Sequence, residues 1–179
     1  MPNPKKYLTR GEIQSLRNAT RRLDYNLKYD TYILLSFRHG LRLSEALQLL
    51  WDDIDWGEGG VFIRRAKNGI DSNHPINSEE LGLLKRLERQ RHSPYIFQSN
   101  RRGKPLGNSA VQSTMIKLGG LAGLGRVHPH QLRHSCGYYL ARKGVDAFQI
   151  QQWMGHRNIK NTLVYINDAA KNLEQLRNW

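Results

Sequence analysis

The chain has 179 residues, 39% of them hydrophobic, and its 28 Lys and Arg against 15 Asp and Glu give a formal charge of +13. That length holds one domain with a real core and leaves little room for two. The charge points to a polyanionic partner, nucleic acid before acidic membrane or acidic protein, because no basic amphipathic helix with an apolar anchor stands out. Cys136 is the only cysteine, which excludes an internal disulfide and fits a reducing compartment, with a buried structural thiol as the default reading. The opening MPNPKKYLTRGE lacks the apolar run of a signal peptide, and no apolar stretch is long enough to span a membrane. A cytoplasmic location is expected.

Residues 1–8 read as a loose basic lead-in. Thr9 with Glu12 forms a capping-box pattern that opens a short helix through about 20. A second helix is expected over 26–39, with Gly40 as its C-cap. Ser44 is a good N-cap for a short helix that turns Ala46, Leu47 and Leu50 inward. The period then changes. Residues 53–56 and 61–65 are strand-like runs separated by GEGG, AKNGIDSN is a second turn, and HPI is a candidate third strand. This predicts a small antiparallel sheet with Lys67 at its tip. Helical spacing returns from Asn77 or Ser78, YIFQS is short and extended, and NRRGKPLGN is a basic loop. Helices are then expected at about 108–118, 130–142, 146–154 and 160–166, with a polar amphipathic tail at 168–177. Repeats and low-complexity linkers are absent from the sequence. The predicted fold class is mainly α with a small antiparallel β-sheet, as a single domain over 1–179.

The chemistry-bearing residues gather in 128–165. His130 and Arg133 lie three apart, so on a helix they share one face. His156 follows Gly155, and Tyr165 comes nine residues later. Taken singly, His156 could simply cap a helix and Tyr165 could be core. Together they could surround a phosphate, since Arg offers a planar fork of donors, His a movable proton and Tyr a nucleophilic oxygen. Arg42, before the short capped helix, could be oriented by Glu45. Lys67 in its turn would ordinarily be a surface lysine. A zinc site is the competing reading, because His128, His130, His134 and Cys136 crowd together and His130 and His134 have i, i+4 spacing. Gln131 stands where a helical zinc protease needs its general-base Glu, and such a site would leave Arg133 without a role. Walker A and GxGxxG signatures are missing.

These residues together resemble the tyrosine recombinase (phage integrase) family. HGLRLSEALQL is similar to the family's first arginine box, carrying Arg42 with Glu45 as support. HPHQLRHS is similar to its H-x-x-R box, giving His130 and Arg133. MGHRN followed by NTLVYIN is similar to the terminal box, giving His156 and Tyr165. The family's hairpin lysine maps onto Lys67. The resemblance covers about residues 7–170 and is greatest to the short recombinases that invert fimbrial promoters, which consist of the catalytic domain without a separate N-terminal domain. His39 stands where many larger relatives have Thr.

What the resemblance implies is a metal-free and ATP-free phosphoryl transfer. Tyr165 would attack a DNA phosphodiester and form a 3′-phosphotyrosyl link, with His130 as proton acceptor. Arg42 and Arg133 would stabilise the non-bridging oxygens, His156 would add a hydrogen bond, and Lys67 would protonate the leaving 5′-oxygen. The implied partners are double-stranded DNA with inverted-repeat sites, a homotetramer on two such sites and DNA-bending accessory proteins, in a bacterial nucleoid. The tail would dock on a neighbouring protomer. Arg64, Arg65, Lys104 and Lys117 are candidate phosphate contacts. A type IB topoisomerase-like relaxation activity and a catalytically silent DNA-binding regulator are the alternatives.

Overall fold

In the computed structural model, which describes residues 5–101 and 103–170, helix α1 (Arg10–Ala19) starts at the expected capping box. Thr9 Oγ1 accepts from the Glu12 N–H, and the Glu12 carboxylate accepts from the Thr9 N–H. Ile13, Leu16 and Ala19, one turn apart, form its buried face. Arg17 points the other way and pairs at 2.6 Å with both Asp30 and Glu79, tying α1 to helix α2 (Asn26–Arg38) and to the start of a later helix. Residues 5–8 are less loose than expected. The Leu8 N–H donates to Ser135 Oγ at 2.7 Å, and Tyr7 stacks on Tyr138 with ring centroids 3.7 Å apart.

The short helix α3 (Leu43–Leu47) begins one residue before the predicted Ser44 cap. Arg42 occupies the cap position in extended conformation, and its N–H donates to the Glu45 carboxylate at 2.9 Å. Glu45 is buried, so it claims that donor and sets the start of the helix. Strands β1 (Ile54–Asp55), β2 (Gly60–Ile63) and β3 (Ser72–Pro75) pair antiparallel in chain order, with Val61 opposite both Ile54 and His74. The first turn closes on Asp55, whose carboxylate accepts from the N–H groups of Gly57 and Glu58. The second turn closes where the Asp71 carboxylate accepts from the Arg65 N–H at 2.7 Å.

Helices α4 (Ser78–Glu88) and α5 (Asn108–Leu121) follow. Asn77 caps α4 reciprocally with Glu80. Helix α6 (Pro129–Arg142) has proline at its first position, where a missing N–H costs nothing. Helix α7 (Ala147–Met154) is capped by the Asp146 carboxylate and ends at Gly155, in left-handed conformation at φ +63°. Helix α8 (Lys160–Ala170) carries on past the expected 166; the remainder of the expected tail lies outside the described residues.

The mainly helical architecture with a small antiparallel sheet is the expected one. Its interior divides in two. The larger core joins Leu16, Tyr32, Ile33, Trp51, Ile63, Leu84, Phe97, Met115 and Leu132. A smaller one joins Cys136, Ile150, Met154 and Tyr165. Helix α6 contributes Leu132 to the first and Cys136 to the second, so it is the element that joins them. Among the described residues no helix is long and apolar enough to cross a membrane.

Leu16 is fully buried at the centre of the α1 face. Leu16→Ala should cost about 2–5 kcal/mol through lost transfer energy and the cavity left behind, measured as a lower urea midpoint with an unchanged slope.

Candidate active site

A buried carboxylate has to be paired or lose its charge. Glu45 is 4% exposed, and its oxygens accept from the Arg42 N–H, from Arg42 Nη1 at 2.5 Å, from Arg65 Nη1 at 2.9 Å and from the Ala66 N–H at 3.1 Å. Arg133 Nη1 lies 3.5 Å away. Burial raises the carboxyl pKa, but the Arg42 N–H and the surrounding guanidiniums outweigh it and hold the group below its ordinary value. Three guanidiniums from three elements thus share one negative charge. The cluster keeps a surplus of positive charge in a site with little water, which suits an anion with several oxygens.

Arg133 is fixed on its far side by carbonyls, donating to Gly40 and, at 2.8 Å, to Met154. Burial, then Arg42 and Arg65, lower its pKa to about 10, so it is still charged at neutral pH. Arg42 keeps 20% of its side chain exposed, against 5% for Arg133 and none for Arg65, and is the most open of the three guanidiniums to an incoming anion. Arg65 is a different case. Its guanidinium donates to Glu45, to the carbonyls of Gly40 and His39 at 3.3 and 3.0 Å, and to the Trp153 carbonyl. Buried, and with both Nη atoms engaged in this way, it is no surface phosphate contact, contrary to the sequence-based expectation. Its stem crosses Gly155 so closely that a Cβ there would lie 2.5 Å from Arg65 Cγ.

His156 follows Gly155, and its Nδ1 lies 2.8 Å from the Thr162 hydroxyl. Burial, then Arg133, Arg42 and Arg65, lower its pKa from 6.5 to about 4, so the ring is neutral. In the tautomer where the Thr162 hydroxyl donates to Nδ1, Nε2 carries the proton and is a hydrogen-bond donor. Tyr165, on α8, stacks nearly parallel on His156 with ring centroids 6.2 Å apart. Its ring lies against Gly137 of α6, where a Cβ would approach it to 2.5 Å. Burial raises the phenol pKa, partly offset by Arg133. The phenol oxygen is 3.1 Å from His134 Nδ1.

His130, one turn before His134, meets that imidazole edge to face at 5.7 Å. Its pKa is lowered by burial and then by Arg133, Arg42 and Lys67. Lys67 is therefore near enough for its field to be felt. It sits exposed at the β2–β3 turn with φ +56°, as does Asn68. The structure thus gathers Arg42, Glu45, Arg133, His156 and Tyr165 in one cluster, with His130 and Lys67 at its rim. Arg64 pairs with Asp53 but stays exposed, and Lys104 and Lys117 are exposed on the loop before α5 and on α5 itself. The zinc alternative finds no support in the geometry: Cys136 Sγ is buried and donates to the Arg38 carbonyl, and among the described residues no three potential ligands converge.

Behind the cluster lies a layer that sequence reasoning missed. His39 Nε2 is 2.9 Å from Glu80, its Nδ1 is 3.1 Å from His74 Nδ1, and His74 packs on Trp153 with ring centroids 4.0 Å apart. Trp153 in turn accepts from Arg65. One signal could have marked Arg65: Val61 and Ile63 of β2 and Arg65, two residues beyond its end, alternate in sequence and are all buried.

Residues 6–172 match the phage integrase family. The chain belongs to that family. Among its phage integrase relatives it is 39% identical over 179 residues to type 1 fimbriae regulatory protein FimE of Escherichia coli K12, covering 93% of this chain and 87% of that protein. It is 38% identical over 171 residues to FimB of the same strain, covering 92% and 85%. Its fold matches the crystal structure of XerA recombinase with a TM-score of 0.82 at 24% identity, over 100% of this chain and 67% of that one. The chain is a tyrosine-type site-specific DNA recombinase.

Glu45→Gln should cost about 3–5 kcal/mol at neutral pH, because it leaves the buried guanidiniums of Arg65 and Arg133 and the partly buried one of Arg42 without their counter-charge. Since the folded-state pKa of Glu45 is depressed, its contribution is present above the ordinary value of 4.5 and is lost as pH falls through the folded value. The depressed His156 pKa acts in the same direction between 6.5 and about 4, where the unfolded chain binds the proton first. Urea titrations of the wild type should show stability falling with acid across both windows, and Glu45→Gln should flatten the lower one.

Proposed function

We propose that this recombinase inverts a DNA segment between short inverted repeats, as in fimbrial phase variation, cutting and rejoining each strand through Tyr165. The observation that carries the reading is the surplus positive charge around Glu45 beside the buried Tyr165 phenol. Similarity to FimE over nearly the whole chain supports the inverting, fimbrial type of exchange.

In this reading a DNA phosphate enters against Arg42 and Arg133, which hold its non-bridging oxygens, and His156 Nε2–H donates to one of them. These donors are fixed before the reaction, so their stabilisation falls mainly on the charge that develops in the transition state. Tyr165 Oη attacks phosphorus while an imidazole of α6 takes the phenol proton. The bond to the 5′-oxygen breaks, and Lys67 supplies the proton that makes it a 5′-hydroxyl. The left-handed backbone at Lys67 is costly for a side chain of that size and fits a residue held in place for function.

The 3′-phosphotyrosyl bond conserves the energy of the broken phosphodiester, so a 5′-hydroxyl from another duplex reverses the step and completes strand exchange. The assembly would be a homotetramer on two sites, with DNA-bending accessory proteins bringing them together and the C-terminal tail docked on a neighbour. Arg64, Lys104 and Lys117 remain candidate phosphate contacts, whose sum would make affinity fall steeply with salt.

Incubation with a nicked suicide substrate carrying the repeat should give a covalent protein–DNA band on a denaturing gel, and Tyr165→Phe should give none while still binding the DNA. A band of wild-type intensity from the variant would overturn the assignment. Removal of 171–179 should leave this band intact and reduce synapsis of two sites and recombination, read by gel shift and plasmid inversion.

A further inference from the structure

The phenol proton of Tyr165 needs a place to go, and the geometry around the oxygen offers few. Arg133 carries no acceptor. His156 stacks face-on at 6.2 Å, and its Nδ1 is engaged by Thr162; a stacked ring cannot accept in the plane of its lone pair. His130 touches the phenol's neighbour rather than the phenol. His134 Nδ1, 3.1 Å from the oxygen, is the phenol's hydrogen-bonded partner among the described residues.

We propose, building on the reading of Tyr165 as nucleophile, that His134 is the base that receives the phenol proton during DNA cleavage, leaving His130 free to face the phosphate. Three features build this contact. Gly137 follows His134 by three residues on α6 and, lacking a Cβ, lets the Tyr165 ring lie flat on the helix. The ring then points its oxygen one turn towards the N-terminus of α6, where helical side chains lean. His134 keeps one side of its ring open to solvent while its Nδ1 side is partly buried against Tyr165, so the imidazolium it becomes is solvated.

The charge environment agrees. Burial, then His130, Arg133 and Lys6, lower the His134 pKa, which favours the neutral ring; in the tautomer with the proton on Nε2, Nδ1 is the acceptor facing the phenol. The groups facing it are His130 and Arg133 from its own helix, Lys6 from the N-terminal lead-in and Tyr165 from α8. The step balances. The O–H bond of Tyr165 breaks and its proton goes to His134 Nδ1 as the Oη–P bond forms. The P–O5′ bond breaks, and the 5′-oxygen takes its proton from Lys67. On rejoining, the 5′-oxygen attacks phosphorus and gives its proton back to Lys67 as the Oη–P bond breaks, and the His134 imidazolium returns a proton to the departing phenolate.

The test is single-turnover formation of the covalent complex on the nicked substrate, as a function of pH, for wild type, His134→Ala, His134→Asn and Tyr165→Phe. The Asn variant keeps an oxygen near the Nδ1 position, so it can still hold the phenol but cannot carry its proton. Both His134 variants should bind DNA as the wild type does, and react at least about 100-fold more slowly. They should also lose the rise in rate that accompanies deprotonation of an imidazole. Recovery of the rate in His134→Asn would show that the residue only holds the phenol and would sink the base assignment. A wild-type rate and pH profile in His134→Ala, with Tyr165→Phe silent, would overturn the proposal and leave the nucleophile standing. A wild-type covalent band in Tyr165→Phe would remove the nucleophile itself, and the proposal with it.

Discussion

The molecule depends on one buried carboxylate. Glu45 draws Arg42 from the lead into α3, Arg65 from the end of β2 and Arg133 from α6 to a single point. Without it, those guanidiniums would repel one another across a few ångströms of low-dielectric interior. A buried ion cluster is weak evidence of added stability, because desolvation consumes most of the Coulombic gain. What Glu45 supplies is position. It lets positive charge accumulate where no solvent could shield it, and it falls short of neutralising that charge. In the proposed function a DNA phosphate would complete the balance, so the fold itself would carry an electrostatic demand for its substrate.

The same arrangement explains why the tyrosine belongs to the smaller core. Tyr165 packs with Cys136, Ile150 and Met154, and its ring lies on α6 with His156 above it. The phenol is thus seated by hydrophobic contact on one side and stacking on the other, while only its oxygen meets polar groups. Helix α6 serves both halves of the reaction. Its first two turns carry His130, Arg133 and His134, its middle carries Gly137, and its inner face anchors both cores through Leu132 and Cys136.

Much of this was legible from the sequence, for definite reasons. The helix over Arg10–Ala19 announces itself because Thr9 and Glu12 satisfy each other's backbone donors locally. His130 and Arg133 share a face by helical spacing alone. Arg42, His156 and Tyr165 lie on separate elements, and only resemblance to a family groups them before the fold is seen. Residues whose meaning is tertiary stayed hidden. Arg65 reads as one more basic residue beside Arg64, and only burial separates them, since Arg64 is exposed and Arg65 is sealed in. Ser44 is the better cap by propensity, yet Arg42 takes that place because Glu45 needs its N–H. His134 suggested a metal ligand by its spacing from His130, whereas its partner lies on a helix some thirty residues away.

Arg65 has a mechanical consequence as well. Its backbone is pinned by Asp71 inside the β2–β3 hairpin, its stem lies across Gly155, and its guanidinium is clamped by carbonyls at the ends of α2 and α7. It acts as a strut between the hairpin that displays Lys67 and the corner that displays His156. The turn that carries Lys67 and the corner that carries His156 therefore share one frame, and in the proposed function a displacement of the hairpin would be passed to the corner against which the tyrosine ring is stacked.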